Sequence, residues 1–263
     1  YSALYEYNVT DSGADYNTAI GYSALAANTT GAQNTAVGGL ALDANTTANG
    51  NAAVGYAALG ANTTGASNVA VGDLALVANT TGGSNVAVGR RSLDDNTTGG
   101  SNVSVGNESL RSNTTASNNT AVGASALQTN TTGSQVTVVG SIAGYANTTG
   151  QENAFFGYGA GYNNTTGSYN TYVGRGASKA AGSEMTTGSA NTIIGAYTGN
   201  NDGLDIRTSN NYIVLSDGGG NPRVMVDSNG KVFMGTATSA DGFLQVKANN
   251  QSDVLLTLFD TSG

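Results

Sequence analysis

One spacing governs this chain. The glycines that close each Asn-x-Ala-Val-Gly-like stretch are Gly21, Gly38, Gly55, Gly72, Gly89, Gly106, Gly123, Gly140, Gly157 and Gly174, and every interval is 17 residues. Gly195 follows after 21, which places a four-residue insertion around Lys179 to Glu184, and Leu4 leads Leu25 by the same 21. A fixed period of this kind marks a repeat architecture, in which each unit buries its surface only against its neighbours.

A representative unit runs from Asn68 to Ser84. It holds a short apolar strand (Val69-Ala70-Val71), a bend at Gly72, a second apolar segment through Leu76, and a polar Asn79-Thr80-Thr81-Gly82 turn. Seventeen residues are too few for a helical pair but suit one coil of short strands and turns. At the usual inter-strand spacing the nine intervals from Gly21 to Gly174 make a rod on the order of 45 Å. A disordered low-complexity tract is the competing reading. Disorder, however, requires neither the fixed spacing nor an apolar residue before every glycine, as at Ile20, Val37, Val54, Val71, Val88, Val105, Val122, Val139, Phe156, Val173 and Ile194. The expected fold is therefore all-β: a parallel β-solenoid or β-roll of 17-residue coils. Its structural repeat is carried by Gly38, Gly55, Gly72 and Gly89, by Val37, Val54 and Val71, and by Leu42, Leu59 and Leu76.

Alternate residues of a strand face opposite ways. In Val69-Ala70-Val71 both faces are apolar. One lines the coil interior; the other needs cover, and a thin roll of Ala and Val buries little surface alone. Association of several chains along one axis supplies that cover. A second pattern concerns volume. The residue two before the glycine is small through Ala121, then becomes Val138, Phe155, Tyr172 and Ile193. The residue four after it is Leu through Leu127, then becomes Gly144, Gly161, Ser178 and Gly199. Close-packed interiors keep total volume, so the two positions are expected to share one packing layer, with a sub-boundary near residue 135.

Composition narrows the chemistry. The 263 residues include 39 glycines, one proline (Pro222) and no His, Cys or Trp, and only 10% are charged. Soft-ligand metal sites lack their ligands, nucleophilic catalysis lacks its usual base, and a disulfide framework is excluded. We expect no enzyme activity and no cofactor. The net charge of −8 without a basic run speaks against nucleic acid. No stretch approaches the 18 apolar residues of a membrane span, and no signal peptide is visible. The opening Tyr1-Ser2-Ala3-Leu4 matches Tyr22-Ser23-Ala24-Leu25, so the chain is expected to be part of a longer one.

Asn34-Thr35-Ala36-Val37-Gly38, Asn68-Val69-Ala70-Val71-Gly72 and Asn85-Val86-Ala87-Val88-Gly89 resemble the head repeat of the YadA-type trimeric autotransporter adhesins. The resemblance covers about residues 1–200. It implies a left-handed β-roll of three intertwined chains that binds host surfaces. The 17-residue period exceeds that family's usual coil, the surplus lying in the Asn-Thr-Thr-Gly turn, which leaves handedness open. Such repeats also occur in bacteriophage tail fibres. Residues 201–263 lose the period and form a second region, read as a β-hairpin-rich neck. Ile213–Asp217, Arg223–Asp227, Lys231–Gly235, Phe243–Val246 and Val254–Leu258 read as strands split by Gly/Asn turns. This region is similar to the neck preceding a trimerisation chaperone in tail fibres. The resemblance thus implies an extracellular homotrimer, either a virion tail fibre shaft supporting host attachment or a bacterial surface adhesin. Its partners would be itself and a cell-surface glycan or protein receptor.

The turns beginning at Asn28, Asn45, Asn62, Asn79, Asn96, Asn113, Asn130, Asn147 and Asn164 are 17 apart. They read as a hydrogen-bonded Asn ladder, as N-glycosylation acceptors, or as an ice-binding Thr array. The last wants a broad Thr face, whereas these threonines are adjacent and point different ways. Carboxylates such as Glu6, Asp11, Asp15, Glu108 and Glu152 recur at no fixed position, and Asp94-Asp95 and Asp202 are isolated, giving no calcium repeat. The late aromatics Phe155, Phe156, Tyr158, Tyr162, Tyr169 and Tyr172 either fill the core or stack on sugars.

Overall fold

The computed structural model describes residues 16–175 and 180–235. Expectations for Leu4, Glu6, Asp11, Asp15, Ser178 and the segments after residue 235 fall outside the described residues. Eleven three-residue strands succeed one another: β1 (Thr18–Ile20), β2 (Thr35–Val37), β3 (Ala52–Val54), β4 (Val69–Val71), β5 (Val86–Val88), β6 (Val103–Val105), β7 (Thr120–Val122), β8 (Thr137–Val139), β9 (Ala154–Phe156), β10 (Thr171–Val173) and β11 (Thr192–Ile194). Each pairs in parallel with the next in strict register, as in Val69↔Val86, Ala70↔Ala87 and Val71↔Val88. The molecule is a parallel β-solenoid of about eleven 17-residue coils, without helix among the described residues. We number each coil by its strand.

The middle residue of each strand points into the coil. Its flanking neighbours point out, because side chains alternate across a strand. In coil 4 the interior holds Ala70, Ala75 and Leu76, all without solvent exposure. Coil after coil repeats this, giving a continuous narrow core. Burying one leucine contributes roughly 1.5–3 kcal/mol, so the Leu column is the core's main apolar mass through coil 7.

The corners turn on left-handed backbone. Gly72 has φ +141, and a Cβ there would lie 2.5 Å from the Gly89 carbonyl oxygen of the next coil. That position therefore admits glycine on two counts, conformation and space. Leu74 (φ 57), Leu76 (φ 53) and Ser84 (φ 60) are also left-handed, and the equivalent residues of other coils repeat the pattern. Such a conformation costs about 1–2 kcal/mol for a residue with a side chain. Bonds between coils hold it in place: Leu74 N–H donates to Tyr56 O (3.0 Å) and Leu76 N–H to Ser92 O (3.0 Å).

The paired volume change is physical. A Cβ at Gly161 would come within 2.7 Å of the Phe155 ring, and one at Gly144 within 3.2 Å of Leu127, Phe155 and Val138. Phe155 and Tyr172 stack with ring centroids 4.9 Å apart in the space the leucines leave. Two details differ from the sequence reading. Gly161 N–H donates to Ala181 O as Leu127 N–H donates to Ala143 O, so Gly182, not Ser178, continues the column. A Cβ at Gly182 would collide with the Tyr172 ring. The insertion therefore lies ahead of Gly182, where Arg175 and Ala180 bridge its base. Gly199 faces Met185 rather than Ile193.

Beyond coil 11 the main sheet continues. A two-residue hairpin of β12 (Asn200–Asn201) and β13 (Leu204–Asp205) stands outside it. β14 (Ile213–Ser216) adds to β11 in parallel. β15 (Pro222–Val226) and β16 (Val232–Met234) then reverse direction and pair antiparallel, after a register shift at Leu215/Ser216. The parallel edge is thus closed by an antiparallel meander, and one 14-stranded sheet crosses residue 201.

Candidate functional site

The Asn-Thr-Thr turns are built inward. Asn79 Nδ2 donates to Gly82 O of its own turn (2.9 Å) and to Asn62 Oδ1 of the preceding coil (2.8 Å). Its Oδ1 accepts from Asn96 Nδ2 (2.8 Å). The nine asparagines from Asn28 to Asn164 are fully buried. From Asn45 onward each amide uses both hydrogens, as Asn45 does on Asn28 Oδ1 and Ala48 O. A sugar on such a nitrogen and a closed stack are mutually exclusive. The ladder stops where Met185 takes the next place, leaving Asn164 Oδ1 without a partner.

A second ladder runs through the asparagine that opens each strand. Asn85 N–H donates to Asn68 Oδ1 (2.9 Å), and Asn85 Nδ2 to Gly99 O (2.9 Å). That carbonyl also accepts from Asn96 Nδ2 (3.0 Å), which ties the two ladders together at each turn where both asparagines are present. Val136 interrupts the side-chain series, yet its N–H still donates to Asn119 Oδ1 (2.9 Å). The Asn at the head of each repeat was visible in the sequence; its partner in the turn was not.

The threonines divide. Thr80 Oγ1 donates to Thr97 O (3.1 Å), while Thr81 and its equivalents form one exposed column. The aromatics divide too. Phe155 and Tyr172 are core; Phe156, Tyr158 and Tyr169 are exposed. Tyr145 and Tyr162 stack on each other at 5.2 Å, and the Arg175 guanidinium lies 5.0 Å above the Tyr158 ring.

Two polar clusters break the uniformity of coils 4 to 7. Outside, Arg90 lies between Asp73 (3.6 Å) and Glu108 (3.8 Å), and Asp94 between Arg91 (3.2 Å) and Arg111 (3.7 Å). Gln128 donates to Glu108 (2.8 Å). Burial raises the Asp94 carboxyl above its ordinary range, with Arg91 opposing. Inside, Ser92 Oγ donates to Ser104 Oγ (2.7 Å), which contacts Ser109 Oγ. Neighbouring coils carry alanine at these places: Ala75 and Ala126, Ala87 and Ala121.

A cleft of about 590 Å³ lies at the end of the coil stack, lined by Asn163, Glu184, Thr186, Asp205, Arg207 and Thr208. Arg207 pairs with Asp205 through Nε (3.0 Å) and Nη2 (2.7 Å), and this contact holds the Asp205 carboxyl below its ordinary range. Among the described residues no three His, Cys, Asp or Glu side chains gather as a metal site.

One outer face of the coil stack is apolar. The last residue of each strand faces outward: Ile20 is 61% exposed, Val71 37%, Val139 40%, Phe156 39% and Ile194 46%, and Leu215 of β14 extends the column. No protein-family profile matches the chain, and comparisons with curated proteins and with solved structures give no match either.

Proposed function

We propose that this chain is a segment of an extracellular fibre shaft, a homotrimer, of the kind that carries a phage tail fibre to its host. The β-solenoid is compatible with a structural fibre or adhesin role. The observation that carries the reading is the outward apolar column on β1 to β11 and β14. Contiguous exposed apolar surface of this sort marks an interaction site, and its repeat along the whole rod matches a partner of the same period, a second and third copy of the chain. The inward Asn ladders, paired carboxylates and absence of His and Cys favour a scaffold over catalysis. The exposed aromatics and the terminal cleft are the places where a receptor glycan or protein would first be sought.

Light scattering on the purified chain tests the assembly: a three-chain mass is expected, and a stable monomer at micromolar concentration removes the trimer. Electron micrographs of the native particle test the role. Fibres on virions support the tail-fibre reading, whereas fibres projecting from a cell envelope replace it with a bacterial surface adhesin.

A further inference from the structure

A repeated wall offers a ligand the same groups at every coil, so a specific site has to stand where the repeat departs from itself. One departure lies at the end of the coil stack. Thr165, Thr186 and Arg207 stand one above another, the Thr165 N–H donating to Thr186 O (2.8 Å) and the Thr186 N–H to Arg207 O (3.0 Å). Two residues before each of them come Asn163, Glu184 and Asp205, one to a coil. Coils 1 to 4 and coil 8 hold alanine at that place: Ala27, Ala44, Ala61, Ala78 and Ala146. The repeat also lengthens here, since Gly174 to Gly195 and Ile194 to its strand partner Leu215 are each 21 residues. The β12–β13 hairpin stands outside the main sheet and carries Asp205. Long polar side chains in place of alanine thus wall the cleft of about 590 Å³, within the range of about 300–1,000 Å³ usual for small-ligand sites.

We propose that this cleft binds a neutral saccharide, a ligand class that rests on the reading of the chain as a surface-attachment segment. The hydrogen-bonding inventory of the wall selects it. Arg207 spends Nε and Nη2 on Asp205 (3.0 and 2.7 Å), which fixes both side chains and sets one charge against the other. Asn163, Glu184 and Thr208 are exposed, and among the described residues their side chains make no hydrogen bond. A ligand seated here therefore meets a carboxylate acceptor, an amide and a hydroxyl side by side. Hydroxyl groups both donate and accept, so a pyranose ring satisfies all three at once. An anion would meet the Glu184 charge with the Arg207 charge already paired. A cation would leave the donors that face it unsatisfied. Repelled charges and unpaired polar groups reject a ligand as effectively as new contacts attract one.

Saturation-transfer NMR on the whole chain tests the proposal. The neutral probes are the methyl glycosides of glucose, galactose, mannose and N-acetylglucosamine. N-acetylneuraminic acid is the anionic probe and putrescine the cationic one. Transfer to at least one neutral glycoside is expected, and none to either charged probe. The variant N163A/E184A removes exposed side chains that hold nothing in the fold, so it is expected to melt with the parent. Its glycoside affinity is expected to fall at least about tenfold, the factor that one hydrogen bond to a charged group supplies. Thr208→Ala, on the other side of the cleft, is a second variant and is expected to weaken binding as well.

Transfer to no neutral glycoside overturns the proposal. So does stronger transfer to a charged probe, or glycoside binding that is unchanged in both variants. Light scattering on the same samples separates this result from the assembly. Glycoside binding by a single chain removes the three-chain shaft and keeps the cleft, whereas a three-chain mass without transfer removes the cleft alone.

Discussion

At the scale of the residue, the repeat is defined less by which side chains it has than by where it cannot have one. Gly72→Ala adds a methyl against the Gly89 carbonyl in a left-handed conformation. It is expected to cost at least about 2 kcal/mol, read as a lower denaturation midpoint. Asn79→Ala removes two donors and one acceptor from a buried ladder. It strands Asn62 Oδ1 and Asn96 Nδ2 and is expected to cost about 3 kcal/mol. Hydrogen exchange checks its reach, with the amides of coils 3 to 5 exchanging faster and those of coil 9 unchanged. The glycine and turn positions were legible because their spacing is constant from Gly21 to Gly174. The left-handed leucines were not. Leu42, Leu59 and Leu76 sit near φ 52, 53 and 53, a region that branched side chains avoid in isolation. It is imposed here by bonds to the neighbouring coil that no local pattern encodes.

At the scale of the element, the exchange of large for small residues in the later coils is one packing event seen twice. Gly161→Leu alone overpacks the Phe155 ring, and Phe155→Ala alone opens a cavity of the sort that costs about 3–5 kcal/mol. The double variant F155A/G161L rebuilds the arrangement of coil 4 and is expected to recover about 1–3 kcal/mol against the sum of the singles. Additive effects would show that the positions drifted independently. The sequence revealed the volume trade but credited all of it to volume. Glycine at this corner also relieves the left-handed strain that leucine bears, since Gly144 and Gly161 have φ +60 and +64. The spacing set Ser178 in the column because it counts residues, whereas the Gly161–Ala181 bond sets Gly182 there.

The closing meander responds to pH in the opposite sense from the shaft. Asp217 accepts from the Asn221, Gly219 and Arg223 donors, and the Asn221 backbone N–H above all holds its carboxyl well below the ordinary 3.8. A depressed carboxyl stabilises the fold above its unfolded value and loses that contribution as pH falls through the folded one. Asp43 and Asp94 are raised, chiefly by burial, so acidification from neutrality toward 3.8 favours the folded coils around them. The expected outcome, after correction for intrinsic exchange, is slower opening near Asp94 at pH 4.5 than at pH 7. The Gly219 and Asn221 amides are expected to loosen only well below 3.8, or at neutral pH in Asp217→Asn.

At the scale of the whole molecule, the outward apolar column lets the proposed three-chain assembly be tested apart from folding. Val71→Asp places a charge on a residue already 37% exposed in the single chain, so coil stability is expected to change by less than about 0.5 kcal/mol. The mass by light scattering is expected to fall from three chains to one. A variant that keeps the three-chain mass places the interface elsewhere. That both strand faces are apolar was plain from Val-Ala-Val. The strands and Gly/Asn turns of the closing meander were read from the sequence; that β14 first adds to β11 in parallel was hidden, because it carries the same apolar alternation as a coil strand.

The path of the chain has a mechanical consequence. Every bond between coils lies along the rod, but the covalent backbone runs around it, 17 residues for each strand spacing of advance. A pull on the two ends therefore cannot sever the rod without first unwinding it. Each coil that gives way releases roughly 50 Å of slack for a loss of about 4.8 Å of rod. A solenoid of this design yields to a sudden load by lengthening and remains tethered while it does so.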